Sequence, residues 1–232
     1  MNAAFLGGRA GALRRELFGV RAEPIEVAEL AAKTKRLVVN GRRMRIAWDI
    51  EHDVRDNKGT PVLGLCEVDA DAPDTVMISI SGARLIDRPE LFRSTAVHEL
   101  AHAIFDMPAA LGRESRTAVY ASAADTLSVG FGPIDWTEWR ANEFMGAFLV
   151  PVQQLARALA KQAGEMGIPL RWRSGPGGLP VPLLDLDVCT EAAGWVVDAL
   201  AERFGVSPDF VAVRLKKGGF IARRAYANDR RH

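Results

Sequence analysis

Long apolar runs are missing from this chain: no stretch approaches the ~20 residues that a membrane-spanning helix needs. The apolar patch at positions 3–6 is far too short for the core of a secretory signal. Cysteine is nearly missing as well. Cys66 and Cys189 are the only two in 232 residues, too few and too far apart for a disulfide framework, and they suit a reducing compartment as buried thiols. Neither sign of charge is in excess, since 30 Lys and Arg against 29 Asp and Glu leave a formal net charge of +1. Nothing global therefore argues for nucleic acid or a membrane surface as partner. These absences predict a cytoplasmic globular protein. Its length and 48% hydrophobic content suit one domain, or one domain plus a small appendage.

Histidine is scarce too, four in all, yet two of them fall in His98-Glu99-Leu100-Ala101-His102. Positions four apart stack on one face of a helix, so both imidazoles can grip a single ion, and neutral imidazole is a good zinc ligand. Glu99, turned about 100° away from His98, is placed to take a proton from water rather than to bind the metal. The flanks are apolar at helical spacing, with Val97, Leu100, Ala101 and Ile104 as a core stripe. Asp87 and Glu90 look like a capping box around Pro89, and Pro108 marks the far end. A plain structural helix with two surface histidines is the bland alternative, and these flanks argue against it.

Upstream, Val27, Leu30, Ala31 and Thr34 predict an amphipathic helix over 24–36, with Asn40-Gly41 as its exit turn. Met44, Ile46, Trp48 and Ile50 alternate with polar or small residues as a half-buried strand does, and 62–68 and 75–80 read likewise. Asp69, Asp71 and Asp74 lack the glycine and distal glutamate of a calcium loop and read as a solvated turn. If 75–80 is an edge strand, an extended peptide could pair with it beside the metal. From 108 to 135 the chain reads as a long irregular connection, and 136–150 as a second helix stopped by Pro151.

Two histidines hold zinc poorly, so a third protein ligand is required. Residues 103–112 contain no histidine, which points to a carboxylate from a separate helix. Glu114, Asp125, Asp135, Glu138 and Glu143 are the candidates. Glu138 shares a helical stripe with Asn142, Met145 and Leu149, whereas Glu143 points elsewhere. Glu138 also fits a capping box with Asp135, a purely structural role. For oxyanion stabilisation His52 and Tyr120 are chemically able, but spacing places neither. A role for Cys66 as an inhibitory fourth ligand finds no support in the spacing, and a core thiol is the expectation.

Glu138-Trp139-Arg140-Ala141-Asn142-Glu143-Phe144, followed by Phe148-Leu149-Val150-Pro151, resembles the Glu-x-x-Ala-Asn-x-Phe-Ala…Leu-Leu-Met-Pro signature of the ImmA/IrrE metallopeptidases. The resemblance covers about residues 60–151. Met145-Gly146 and Val150 depart from the pattern without touching an expected ligand. The resemblance implies Zn2+ on His98, His102 and Glu138, with Glu99 as general base and Asn142 orienting a ligand. It further implies an endopeptidase that cleaves a helix-turn-helix transcriptional repressor at one site. The expected fold is α+β and zincin-like, a small antiparallel sheet packed on the His98–His102 helix and the following Glu138 helix, with an all-α C-terminal region.

Composition divides the chain into a catalytic domain at 1–163, a Gly/Pro-rich connector at 164–189 and a helical region at 190–232. Ala201, Gly205 and Val211 fall at helix-turn-helix spacing, between a helix capped by Thr190 and another opened by Ser207-Pro208. From Ala201 onward the chain holds eight basic and three acidic residues, a patch suited to weak DNA contact. The alternative to a peptidase is thus a regulator that uses the zinc fold as a scaffold and binds DNA or protein. Retention of Glu99 argues against it, because a structural metal site needs the ligands but not the base.

Overall fold

In a computed structural model of the chain, the residues described are 1–20, 24–69, 72, 74–111, 119–122, 135–175, 178–185 and 190–222. The chain divides into two compact units, Met1–Leu149 and Val150–His232, and is mixed α+β. Among the described residues no helix is long and apolar enough to cross a membrane.

The first unit opens with helix α1 (Ala3–Phe18), capped by Asn2, whose side-chain oxygen accepts from the Phe5 N–H at 2.9 Å. Leu6, Ala10 and Arg14, four apart, form its buried face. Helix α2 (Val27–Thr34) buries Val27, Leu30, Ala31 and Thr34, the stripe expected from spacing. Strands β1 (Arg36–Val39) and β2 (Arg42–Asp49) follow as a hairpin. Asn40 and Gly41 make its turn with φ of 51° and 77°. Positive φ at both central residues suits the right-handed twist of two strands. Asn40-Gly41 is therefore a hairpin turn, not a helix exit, because four residues of strand intervene.

Two short strands, β3 (Val54–Arg55) and β4 (Pro61–Val62), pair with each other before β5 (Gly64–Val68) and β6 (Thr75–Ile80). Then come α3 (Gly82–Leu85), α4 (Pro89–Phe105), α5 (Met107–Ala110), β7 (Val119–Ser122) and α6 (Trp136–Leu149). The main sheet runs β1-β2-β6-β5-β7. Two expectations are corrected here. The β2–β6 pair is parallel, so the sheet is mixed rather than antiparallel. β6 lies between β2 and β5, so its backbone groups are already paired and it offers no edge to a peptide.

Helix α4 is buried throughout its second half, every residue from Thr95 to Ile104. The Asp87–Glu90 box does not form: Arg88 occupies the cap position with no side-chain bond, and its N–H instead reaches the Leu85 carbonyl at 2.9 Å. The preceding α3 turn supplies the partner that a cap would have supplied. Aromatic rings lock α6 to α4 and α1, with Phe105 edge-on to Phe144 at 5.4 Å and Phe18 edge-on to Phe148 at 6.3 Å. Buried Arg14 donates from Nη1 to the Phe148 carbonyl at 2.9 Å, closing the C-terminal turn of α6. Burial pulls the Arg14 pKa down to about 10.

The second unit contains α7 (Val152–Glu165), a hairpin of β8 (Leu170–Ser174) and β9 (Pro180–Leu184), α8 (Thr190–Phe204) and α9 (Pro208–Gly218). The stretch that composition marks as a connector thus holds a paired hairpin. Its glycines and prolines serve turns and strand edges here, a use that composition does not separate from a linker. Gly205, at φ 64°, ends α8, with the Val206 N–H on the Ala201 carbonyl. Ser207 Oγ caps α9 by accepting from the Phe210 N–H at 3.2 Å. Ala201 and Val211 are buried on either side of this turn. The basic residues from Arg223 on, and Cys189, lie outside the described residues.

Candidate metal centre

Three side chains from two helices converge inside the first unit. His98 and His102, one turn apart on α4, face each other with their Nε2 atoms 3.0 Å apart. Glu138, in the first turn of α6, brings Oε2 to 3.2 Å from His98 Nε2 and Oε1 to 3.3 Å from His102 Nε2. Both imidazoles are buried and the glutamate side chain is 28% exposed. Among the described residues these three form the group whose geometry could hold a metal ion.

The spacing fits a tetrahedral ion. Two ligands about 2.05 Å from zinc at a tetrahedral angle lie about 3.3 Å apart; the two Nε2 atoms are 3.0 Å apart, and Glu138 offers a different oxygen to each, Oε2 to His98 at 3.2 Å and Oε1 to His102 at 3.3 Å. Two imidazole nitrogens and a carboxylate form a donor set that could hold a divalent metal ion.

The charges are arranged for a cation. Burial pulls the His102 pKa down, but hydrogen bonds to Asp106 and Glu138 and the nearby Glu99 charge outweigh it, raising the value to about 9. Burial pushes Glu138 up, yet His102 and His98 hold its carboxyl well below the usual carboxylate range.

This sets a pH dependence. Because the folded-state pKa of His102 exceeds its ordinary 6.5, the protonated pair stabilises the fold fully below about pH 6.5. That contribution fades as pH rises through about 9. A metal ion held there would displace the proton, so zinc's apparent affinity should climb about tenfold per pH unit across this window for one displaced proton. Thermal unfolding at fixed free zinc should show a zinc-induced rise in Tm that grows from pH 6.5 to 9. A rise independent of pH would contradict this ion-pair arrangement.

Glu99 is fully buried on the adjacent face of α4 and is not one of the converging donors. Its carboxylate fits because β5 begins with glycine: a Cβ at Gly64 would fall 2.6 Å from Glu99 Oε1 and 2.7 Å from Thr95 Cγ2. Gly64→Ala is expected to displace Glu99 and cost about 1–3 kcal/mol in overpacking strain. Zinc content should be unchanged, since no ligand is touched. Denaturant unfolding beside metal analysis checks this, and unaltered stability would show that Glu99 does not lie against β5.

The remaining candidates fall elsewhere. Asp135 caps α6, its Oδ1 accepting the N–H of Thr137 at 2.8 Å and of Glu138 at 3.3 Å. The capping role is therefore filled by Asp135 while the Glu138 carboxylate turns to the imidazoles. Asn142 is half-buried one turn further on. Glu143, on the same helix, is not part of the donor group. His52 is exposed, its Nδ1 3.0 Å from both Asp49 oxygens, and this contact raises its pKa. Cys66 is a free, fully buried thiol whose pKa is pushed well up by burial and by the charges of Glu99 and Asp106, as suits a core position. Glu114, Asp125 and the Tyr120 side chain lie outside the described residues.

Sequence reasoning missed Asp106 and Arg140. Asp106 Oδ2 lies 2.9 Å from His102 Nδ1, and its Oδ1 receives Arg140 Nη2. The signal available was spacing, since Asp106 follows His102 by four residues and so shares its helical face. No protein-family model matches this chain, and no curated protein is significantly similar to it.

Proposed function

We propose that this protein is a zinc-dependent endopeptidase of the ImmA/IrrE type, acting on a helix-turn-helix transcriptional repressor. The observation that carries the reading is the convergence of His98, His102 and Glu138 from two separate helices while Glu99 stays outside the donor set. A purely structural metal site has no use for a buried carboxylate one residue from its ligand. Zinc held by the three residues would supply Lewis acidity, making a water more acidic and a peptide carbonyl more electrophilic. Glu99 acts as general base, taking the proton from the attacking water and passing it to the departing amine nitrogen. Its burial keeps bulk water from competing for that proton.

The repressor substrate follows from the resemblance of the Glu138–Pro151 segment, and its cleavage would relieve repression of stress, phage or mobile-element genes. A binding role for the second unit draws support from the α8–turn–α9 pair, and it is compatible with peptidase activity in the first. The test compares zinc content and peptide hydrolysis in the wild-type protein and in Glu99→Gln. Hydrolysis that survives in the variant would contradict the reading.

A further inference from the structure

Asp106 joins two helices, ending α4 and standing at the cap position of α5, yet its side chain makes no bond to the α5 backbone. It follows the last residue of α4, its own N–H on the His102 carbonyl at 2.9 Å. Its side chain is only 5% exposed. The partial negative charge at the end of α4 disfavours an acid there and the partial positive charge at the start of α5 favours one, so helix-end charge alone does not decide the residue. Burial adds a desolvation cost, which only charged or hydrogen-bonded partners can repay. Both oxygens find such partners. Oδ2 faces His102 Nδ1 at 2.9 Å, and Oδ1 is held by Arg140 Nη2.

The two partners are not independent of the donor cluster. His102 presents Nε2 to Glu138 and Nδ1 to Asp106, so the same ring joins both. Arg140 lies two residues after Glu138 on α6, and its guanidinium reaches back to the end of α4. The chain His102–Asp106–Arg140 therefore closes a loop between the helix carrying two donors and the helix carrying the third. The carboxylate is turned to His102 and Arg140 rather than to the α5 backbone, so capping α5 does not account for it.

We infer that Asp106 is a positioning residue for the metal centre, fixing the His102 ring with Nδ1–H toward Asp106 and Nε2 toward the ion, and that Arg140 pins the Asp106 carboxylate while tying the Glu138 helix to α4. The inference rests on the metal reading of His98, His102 and Glu138. A carboxylate behind a ligating histidine sets the tautomer, raises ligand basicity and restrains the ring, and its loss typically lowers metal affinity about 10- to 100-fold. Arg140 acts one step further out, so its loss should cost less and only through Asp106.

The experiment measures zinc affinity by competition with a chromophoric chelator, and the visible spectrum of the cobalt-substituted protein, for wild type, Asp106→Asn, Arg140→Met and the double variant. Asp106→Asn is expected to weaken zinc about 10- to 100-fold and to shift the cobalt bands. Arg140→Met should give a smaller shift in the same direction, and the double variant no more loss than Asp106→Asn alone. A merely structural staple would lower Tm while leaving the cobalt bands of the loaded protein unchanged, and that result overturns the inference. Wild-type protein that binds neither zinc nor cobalt removes the metal reading and this inference together, whereas normal binding in Asp106→Asn removes this inference alone. Should Asp106→Asn fail to fold, long-range 1H–15N spectra of zinc-loaded wild type decide. A His102 Nδ1 proton protected from exchange supports the contact, and an unprotonated or rapidly exchanging Nδ1 overturns it.

Discussion

Glu99→Gln should retain one zinc per chain and lose peptide hydrolysis by roughly a thousandfold, within the range typical of removing a general base. Glutamine keeps the size and hydrogen-bonding shape of the side chain but cannot accept the proton of an attacking water. Glu99 is fully buried and is not a donor to the metal cluster. Removing its charge therefore leaves His98, His102 and Glu138 in place and imposes no new burial cost on the fold. The measurement pairs kcat on a library-selected peptide with elemental analysis of the same preparation. Loss of zinc along with activity would recast Glu99 as a ligand. Activity retained with zinc present would leave the buried carboxylate without a chemical role.

Glu138→Ala separates two roles that spacing allowed for one residue. If Glu138 only capped α6, its loss would cost on the order of 1 kcal/mol and leave zinc bound. The Thr137 and Glu138 N–H groups are instead capped by Asp135, so the alanine variant keeps that cap and loses one of three donors. Zinc affinity should fall by more than the roughly 10- to 100-fold expected for an outer-shell partner, leaving purified protein largely metal-free. Glu138→Asp should behave similarly, because a carboxylate shortened by one methylene cannot keep an oxygen about 2.0–2.2 Å from the ion without moving α6. Glu165→Ala, which removes an exposed ion pair to Lys161 on α7, is the matched control and should change neither zinc content nor Tm measurably.

The centre was legible where chemistry and helical periodicity agree. His98 and His102 read as partners because four residues bring side chains to one helical face, and Glu138 read as a candidate because it shared a stripe with Met145 and Leu149. Strand β6 and helix α2 were legible for the same reason, each carrying a clean period. What sequence did not disclose were relations between elements. The parallel pairing of β2 with β6 depends on which strands meet in space, and an alternating pattern is the same for either direction. Helix α1 went unread because Gly7, Gly8 and Gly11 lower helix propensity. Its buried face includes Arg14, whose guanidinium donates from Nη1 to the Phe148 carbonyl, 134 residues on in the chain. Asp106 and Arg140 were missed for a related reason. Each looks like an ordinary surface charge, and their meaning arises only when α4 and α6 pack.

The capping box at Asp87 and Glu90 shows the opposite failure, a local pattern present but unused. The α3 turn already satisfies the backbone at the start of α4, with Arg88 N–H on Leu85. The hairpin in 170–184 shows how glycine and proline mislead when read as linker composition. In this chain they shape the turn at Gly178, which has φ 76°, and the proline-flanked strand Pro180–Leu184.

The most direct measurement is zinc per chain by elemental mass spectrometry on wild type, Glu99→Gln and Glu138→Ala, each purified without added metal and then dialysed against micromolar zinc. One zinc in wild type, one in Glu99→Gln and little in Glu138→Ala is the predicted result. No stoichiometric zinc in the wild-type protein, or equal zinc in all three, would contradict the account.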